Sequence, residues 1–140
     1  MKQKITIEII CSLLILLFVY AAVSKLLNYP LFLSQLRASP FLSPLASIIS
    51  WLVPTLELMI ALLLTVMVTR TIGLFTSFIL LLLFTLYIAA MFFSGSHLPC
   101  TCGGVIQSLS WKEHLAFNLF FIALSIAGIV LEKKEITSVA

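Results

Sequence analysis

Four long apolar stretches constrain the fold of this chain more than any other feature. They run over about residues 5–27, 47–68, 72–93 and 114–131. A helix needs about 20 apolar residues to cross a bilayer, and its backbone polar groups must be satisfied inside the segment. The sequence therefore predicts an all-α integral membrane four-helix bundle, with residues 1–140 as a single domain.

The composition agrees with a membrane protein and argues against a soluble one. Apolar residues make up 62% of the chain and charged residues only 9%, against roughly 45–50% and 25% in soluble domains. This composition makes the lipid bilayer an expected partner. The net charge of +3 comes from scattered basic residues, so we expect no nucleic acid as a partner. The first stretch follows a basic start but exceeds the 7–15 apolar residues of a typical signal peptide, so we expect a retained helix.

The connection between the first two stretches predicts one further, short helix. Pro30 suits the start of a helix, and Pro40 ends it. Leu33, Leu36 and Arg37 would make this segment amphipathic, which is typical of a helix lying in the membrane interface.

The basic residues predict the orientation of the bundle. Four spans put both termini and the turn at 69–71 on one side. That side carries Lys2, Lys4, Arg70, Lys133 and Lys134, and the other side carries Lys25, Arg37 and Lys112. The positive-inside rule then favours cytoplasmic termini. The sequence predicts a multi-pass protein of the bacterial inner (cytoplasmic) membrane, with the loop at 94–112 in the periplasm.

That loop carries the most reactive motif of the chain, Cys100-Thr101-Cys102-Gly103-Gly104. A disulfide between Cys100 and Cys102 closes almost no loop and adds little chain-entropy stabilisation. It would also be strained, which makes it a better thiol oxidant. Thiol exchange is therefore favoured over a structural disulfide. Cys11 lies roughly 20 Å below the outer surface by helical rise, and we expect a small buried side chain there.

Metal binding is an alternative for the same loop. His97, Cys100 and Cys102, with His114 as a fourth ligand, could hold zinc in a tetrahedral site. The His-x-x-Cys-x-Cys spacing is uncommon for zinc, and copper(I) is a weaker variant.

The fourth stretch carries a polar stripe of His114, Asn118 and Ser125, with Gly128 one turn later. Such a stripe is expected to face other helices rather than lipid. His114 could stabilise a thiolate or move a proton, because imidazoles exchange protons near neutral pH. It could equally be an anchor in the interface, with Asn118 bonding between helices.

The second stretch carries another stripe, made of Ser47, Ser50, Pro54, Glu57, Ala61 and Thr65. An ionisable residue such as Glu57 inside a membrane points to function by default. It can be protonated and hydrogen-bond to another helix, or it can pair with a cation. A proton relay and a contact to a quinone headgroup are the functional alternatives. Lys25 is the first candidate cation, although helical rise puts it about 12 Å from the depth of Glu57; Arg37 is the second.

These segments resemble the small four-helix membrane proteins of the DoxX/MauE type. The likeness rests on Val23–Pro30, on Pro54–Leu58, and on Pro99–Val105 followed by Ser110–His114 and Asn118. The last pattern is similar to the MauE-like, redox-associated branch. The resemblance implies periplasmic thiol maturation in methylamine dehydrogenase assembly, or quinone-linked oxidation. DsbB-type and vitamin K epoxide reductase-type bundles are similar in function, but they use two cysteine pairs.

The sequence therefore predicts a membrane thiol-disulfide redox protein that serves a periplasmic thioredoxin-like partner, with quinone as a candidate cofactor. Cys100, Cys102 and His114 would carry the exchange, and Lys25 and Glu57 would form a quinone pocket or a structural pair. A non-catalytic accessory subunit of a larger membrane complex is the alternative, and metal handling is a third.

Overall fold

The computed structural model describes residues 2–93 and 111–139, and these residues are almost entirely helical. In chain order the helices are α1 (Lys2–Leu27), α2 (Tyr29–Ala38), α3 (Ala46–Thr65), α4 (Arg70–Phe93) and α5 (Trp111–Val139), with a short 3-10 turn at Ser43–Leu45 before α3. Four of them, α1, α3, α4 and α5, are long and apolar enough to cross a membrane. The predicted all-α membrane bundle is confirmed.

The four long helices pack in a ring that follows their order in the chain and closes between α5 and α1. α1 packs on α3 and α5, and α4 packs on the other faces of α3 and α5. The core between them is apolar, with Leu14, Phe18, Leu64 and Leu74 almost fully buried. Large apolar side chains also cover the outside of the bundle, as expected for a multi-pass membrane protein.

Two glycines let helices of this ring approach closely. A Cβ at Gly73 would lie 3.1 Å from the backbone nitrogen of Leu64. A Cβ at Gly128 would lie 2.9 Å from Leu74 Cδ2 and 3.2 Å from Ile10 Cγ2. Small residues at helix contacts are typical of membrane bundles, and here they bring α4 against α3 and α5 against α4 and α1.

The short helix α2 begins and ends as the prolines predict. Pro30 lies in its first turn, and the helix ends at Ala38, before Pro40. Phe32 and Leu36 are buried and pack with Ala46 of α3, whereas Arg37 is exposed. The amphipathic character is therefore present, and the location of α2 in the membrane interface stays a prediction.

The turn between α3 and α4 lies slightly earlier than the predicted 69–71. Residues 66–69 make the turn, and Arg70 already belongs to α4. The Thr69 side chain donates a hydrogen bond to the Leu63 carbonyl at 2.9 Å. The last helix is longer than the apolar stretch that predicted it, because it continues through charged residues to Val139.

Candidate functional site

The buried face of α3 presents one acidic side chain to the interior of the bundle. Ser50, Pro54, Glu57 and Ala61 recur every three or four residues and are buried, so they share the face that meets the other helices. Ser47 and Thr65, predicted to continue this stripe, are exposed. The buried position at the start of α3 is instead Ala46, which packs on α2, and Thr65 is the last residue of the helix.

Glu57 forms an ion pair with Lys25 of α1. Lys25 Nζ donates a hydrogen bond to Glu57 Oε1 at 2.6 Å, and the two side chains are only 2% and 1% exposed. Arg37, the second candidate partner, is exposed on α2. The structure thus unites two residues that are 32 positions apart in the chain.

The depth difference expected from the sequence does not prevent this contact, because Lys25 Nζ reaches Glu57 Oε1 directly. The long, flexible stem of a lysine can carry its ammonium group across a difference in depth between two helices. A hydrogen bond of 3.0 Å between the hydroxyls of Tyr29 and Ser50 also ties the start of α2 to α3.

Two aromatic rings flank the ammonium group of Lys25. Its Nζ lies 5.9 Å from the centre of the Phe32 ring and 5.6 Å from that of Phe84. Both distances fall within the range of cation–π attraction. Side chains of α1, α2, α3 and α4 therefore meet at one buried charge pair.

A small cavity of about 20 Å³ lies beside Glu57. Its walls come from α1, α3, α4 and α5, and its polar lining residues are Glu57 and Asn118. The cavity is far smaller than the roughly 300–1,000 Å³ of a typical organic-ligand pocket. In this arrangement, a quinone ring could enter only if the helices moved apart.

The polar stripe predicted on the last span faces the bundle. His114, Asn118 and Ser125 are buried on α5, at 2%, 5% and 0% exposure. Ser125 donates a hydrogen bond to the Phe121 carbonyl of its own helix at 3.0 Å. Among the described residues, His114 Nε2 and Asn118 Nδ2 have no hydrogen-bond partner.

Most of the predicted thiol or metal site lies outside the described residues. Cys100, Cys102 and His97 belong to the segment 94–110, and His114 is the one predicted ligand that the structure describes. Within the described ranges, no group of three histidine, cysteine or acidic residues could hold a metal ion. Cys11 is buried at 2% exposure, which confirms the prediction of a small buried side chain.

The sequence reasoning missed two ion pairs at the opposite end of the bundle from Lys25. Arg70 Nη2 lies 2.9 Å from Glu8 Oε1, with the arginine side chain buried and the glutamate more than half exposed. Lys4 Nζ lies 3.5 Å from Glu135 Oε1. The sequence did contain a hint of these ion pairs, because the four charged residues lie near helix ends that are predicted on the same side of the membrane.

Comparison with known proteins identifies a family for this chain. No curated protein and no solved structure matches the chain. The family model for "Methylamine utilisation protein MauE" matches residues 3–131, which include all four long apolar helices up to residue 131 of α5. The chain therefore belongs to the MauE family of methylamine utilisation proteins.

Proposed function

We propose that this protein is a membrane accessory protein of methylamine utilisation that exchanges disulfides through Cys100 and Cys102 with a periplasmic thioredoxin-like partner. The observation that carries the proposal is the Cys-Thr-Cys-Gly-Gly motif within the residues that match the family. The family description supports the biological setting. The close spacing of the cysteines supports the chemistry, because their disulfide would add little stability to the fold and would readily oxidise the thiols of a partner.

The exchange proceeds through a mixed disulfide. A thiolate of the partner attacks one sulfur of the Cys100–Cys102 disulfide, and the other loop cysteine leaves as a thiolate. The second partner thiolate then attacks the mixed disulfide. The partner leaves with a new disulfide, and Cys100 and Cys102 hold two electrons as a reduced pair. A membrane quinone is the acceptor class that would take these electrons and restore the loop disulfide.

His114 is the described residue best suited to assist this exchange. It is buried in the first turn of α5, the helix that follows the cysteine loop, and its Nε2 has no partner among the described residues. An imidazole in that condition can accept or donate one hydrogen bond to a reacting group. We propose that it stabilises the thiolate of one loop cysteine.

We assign Lys25 and Glu57 a structural role in this function. Their side chains are almost completely enclosed, and the neighbouring cavity of about 20 Å³ leaves no room for a quinone ring. The pair ties α1 to α3 below the outer surface. It thereby helps to hold the framework from which the loop at 94–110 leaves α4 and returns to α5.

The test is to trap the mixed disulfide. Cys100→Ser and Cys102→Ser should each be expressed in cells that contain the partner, with Cys11→Ser as the matched control. On a non-reducing gel, we expect one loop variant to show an adduct that disappears with reductant, and the control to show none. Full biological function in both loop variants, without any adduct, would overturn the thiol proposal.

The accessory-subunit alternative predicts a different outcome for the same variants. A partner that co-purifies in stoichiometric amount, unaffected by Cys100→Ser and Cys102→Ser, would favour a docking role without chemistry. Labelling of intact cells with a membrane-impermeant maleimide tests the proposed periplasmic loop directly. Elemental analysis of the purified protein tests the metal alternative.

A further inference from the structure

The cavity beside Glu57 has the size of a single water molecule. It measures about 20 Å³ and is bounded by apolar side chains of α1, α4 and α5, together with Glu57 and Asn118. A cavity needs a volume of about 10–15 Å³ to hold one water molecule. A larger polar ligand would not fit between the four helices without displacing them.

Two residues that line the cavity each have a buried polar atom without a partner among the described residues. Glu57 Oε1 accepts the hydrogen bond of Lys25, whereas Glu57 Oε2 accepts none. Asn118 Nδ2 likewise donates none. The two residues line the same cavity yet do not bond to each other, so a gap separates an acceptor from a donor.

We propose that one water molecule is bound in this cavity, donating a hydrogen bond to Glu57 Oε2 and accepting one from Asn118. Buried polar groups are almost always hydrogen-bonded, and interior waters commonly supply the missing partner. A water both donates and accepts, so it also serves the amide of Asn118 in the opposite orientation. A metal cation is disfavoured because the ammonium group of Lys25 already lies 2.6 Å from the same carboxylate.

The water would give the bundle a polar connection that the side chains of residues 2–93 and 111–139 alone do not make. Lys25 joins α1 to Glu57 of α3, and the water extends this link to Asn118 of α5. Asn118 lies one helical turn from His114, so the connection reaches the helix that follows the cysteine loop. This inference does not depend on the thiol chemistry proposed above.

The sequence offers a direct measurement with an internal control. The chain contains two asparagines, Asn28 and Asn118. Selective labelling of asparagine with ¹⁵N in detergent micelles therefore gives two side-chain amides. Asn28 is exposed at the end of α1 and donates to the Ser24 carbonyl. We expect the Asn118 amide protons to show water cross-peaks of opposite sign in NOE and ROE spectra, which identifies a long-lived bound water rather than proton exchange.

Filling the cavity should remove this signal. Ala21 lines the cavity, so A21V should abolish the water cross-peak of Asn118 and leave the spectrum of Asn28 unchanged. The matched control is A116V, the same substitution at an exposed position of α5, which should keep the cross-peak. If A21V does not fold, the wild-type measurement still decides the question.

Two results would overturn the proposal. One is a folded wild-type protein whose Asn118 amide protons show no cross-peak to water. The other is a shift of the Asn118 resonances when sodium ions in the buffer are replaced by choline, because that would identify a cation as the occupant.

Discussion

Removing one charge of the Lys25–Glu57 pair should be far more harmful than removing both. Lys25→Met leaves a buried carboxylate without its cation, whereas Lys25→Met combined with Glu57→Leu leaves no charge at all. Both side chains are 2% exposed or less, so bulk water does not reach the carboxylate to compensate for the lost cation. The predicted quantity is therefore the difference in the free energy of unfolding between the single and the double variant.

The expected magnitude follows from the distance and the burial. At 2.6 Å, and with an effective dielectric constant of about 20, the attraction between the charges is about 6 kcal/mol. Desolvation opposes it by several kcal/mol for each ion, so the pair as a whole contributes little net stability. Breaking it from one side costs about 3–5 kcal/mol, while replacing both partners by apolar residues is often neutral or stabilising.

The free energy of unfolding can be measured by SDS titration in mixed micelles, followed by circular dichroism. We expect Lys25→Met to lose about 3–5 kcal/mol and the double variant to regain most of that loss. Lys4→Met is the matched control, because its ion pair with Glu135 has a 69% exposed lysine and should contribute less than about 1 kcal/mol. Hydrogen bonds between membrane helices average about 0.6 kcal/mol in double-mutant cycles. The coupling energy between Lys25 and Glu57 follows from the unfolding free energies of the two single variants and the double variant. A coupling energy of only about 0.6 kcal/mol would refute the ion pair and indicate a neutral carboxyl group.

Three further outcomes are expected in the same bundle. Gly73→Ala should destabilise by about 1–3 kcal/mol in the SDS titration, because its Cβ would lie 3.1 Å from the Leu64 backbone nitrogen; a gain in stability, as helix propensity alone favours, would contradict this close approach. Tyr29→Phe should lose about 0.5–1.5 kcal/mol, because it removes the 3.0 Å hydrogen bond to Ser50, and an unchanged midpoint would argue against that bond. In a variant whose other two cysteines are serine, Cys11 should react with maleimide only after unfolding, since it is 2% exposed; rapid labelling of the folded bundle would show that α1 is not packed as described.

The sequence alone was sufficient for the four long helices and for the middle of the face that α3 buries, although Ser47 and Thr65, predicted on that face, are exposed. Apolar length predicted the four spans, because lipid leaves the backbone few other structures. The spacing of Ser50, Pro54 and Glu57 predicted the inner face of α3. The end of α5 was less predictable. The length of an apolar stretch shows how much of a helix can lie in the lipid core, but the helix can continue beyond that core, as α5 does to Val139.

Contacts between helices required the three-dimensional packing. Lys25 was a candidate partner of Glu57, but the level of α3 relative to α1 depends on the connection through α2 and the Tyr29–Ser50 bond. The shared cavity of Glu57 and Asn118 depends on the rotation of α5 against α1 and α4. No periodicity within one segment contains that information.

The charge pair between α1 and α3 also has a consequence for membrane insertion. A charged residue near the centre of a helix raises its insertion free energy by about 2.5–3.5 kcal/mol on translocon scales, and Glu57 occupies such a position in α3. Lys25 precedes Glu57 in the chain, so insertion in chain order would bring the cation into the membrane before the acidic helix arrives. Insertion of α3 beside α1 would then relieve the penalty, and α4 and α5 would follow as a second packed pair. The ring order of the bundle thus matches an order of assembly in which no carboxylate has to wait unpaired in lipid.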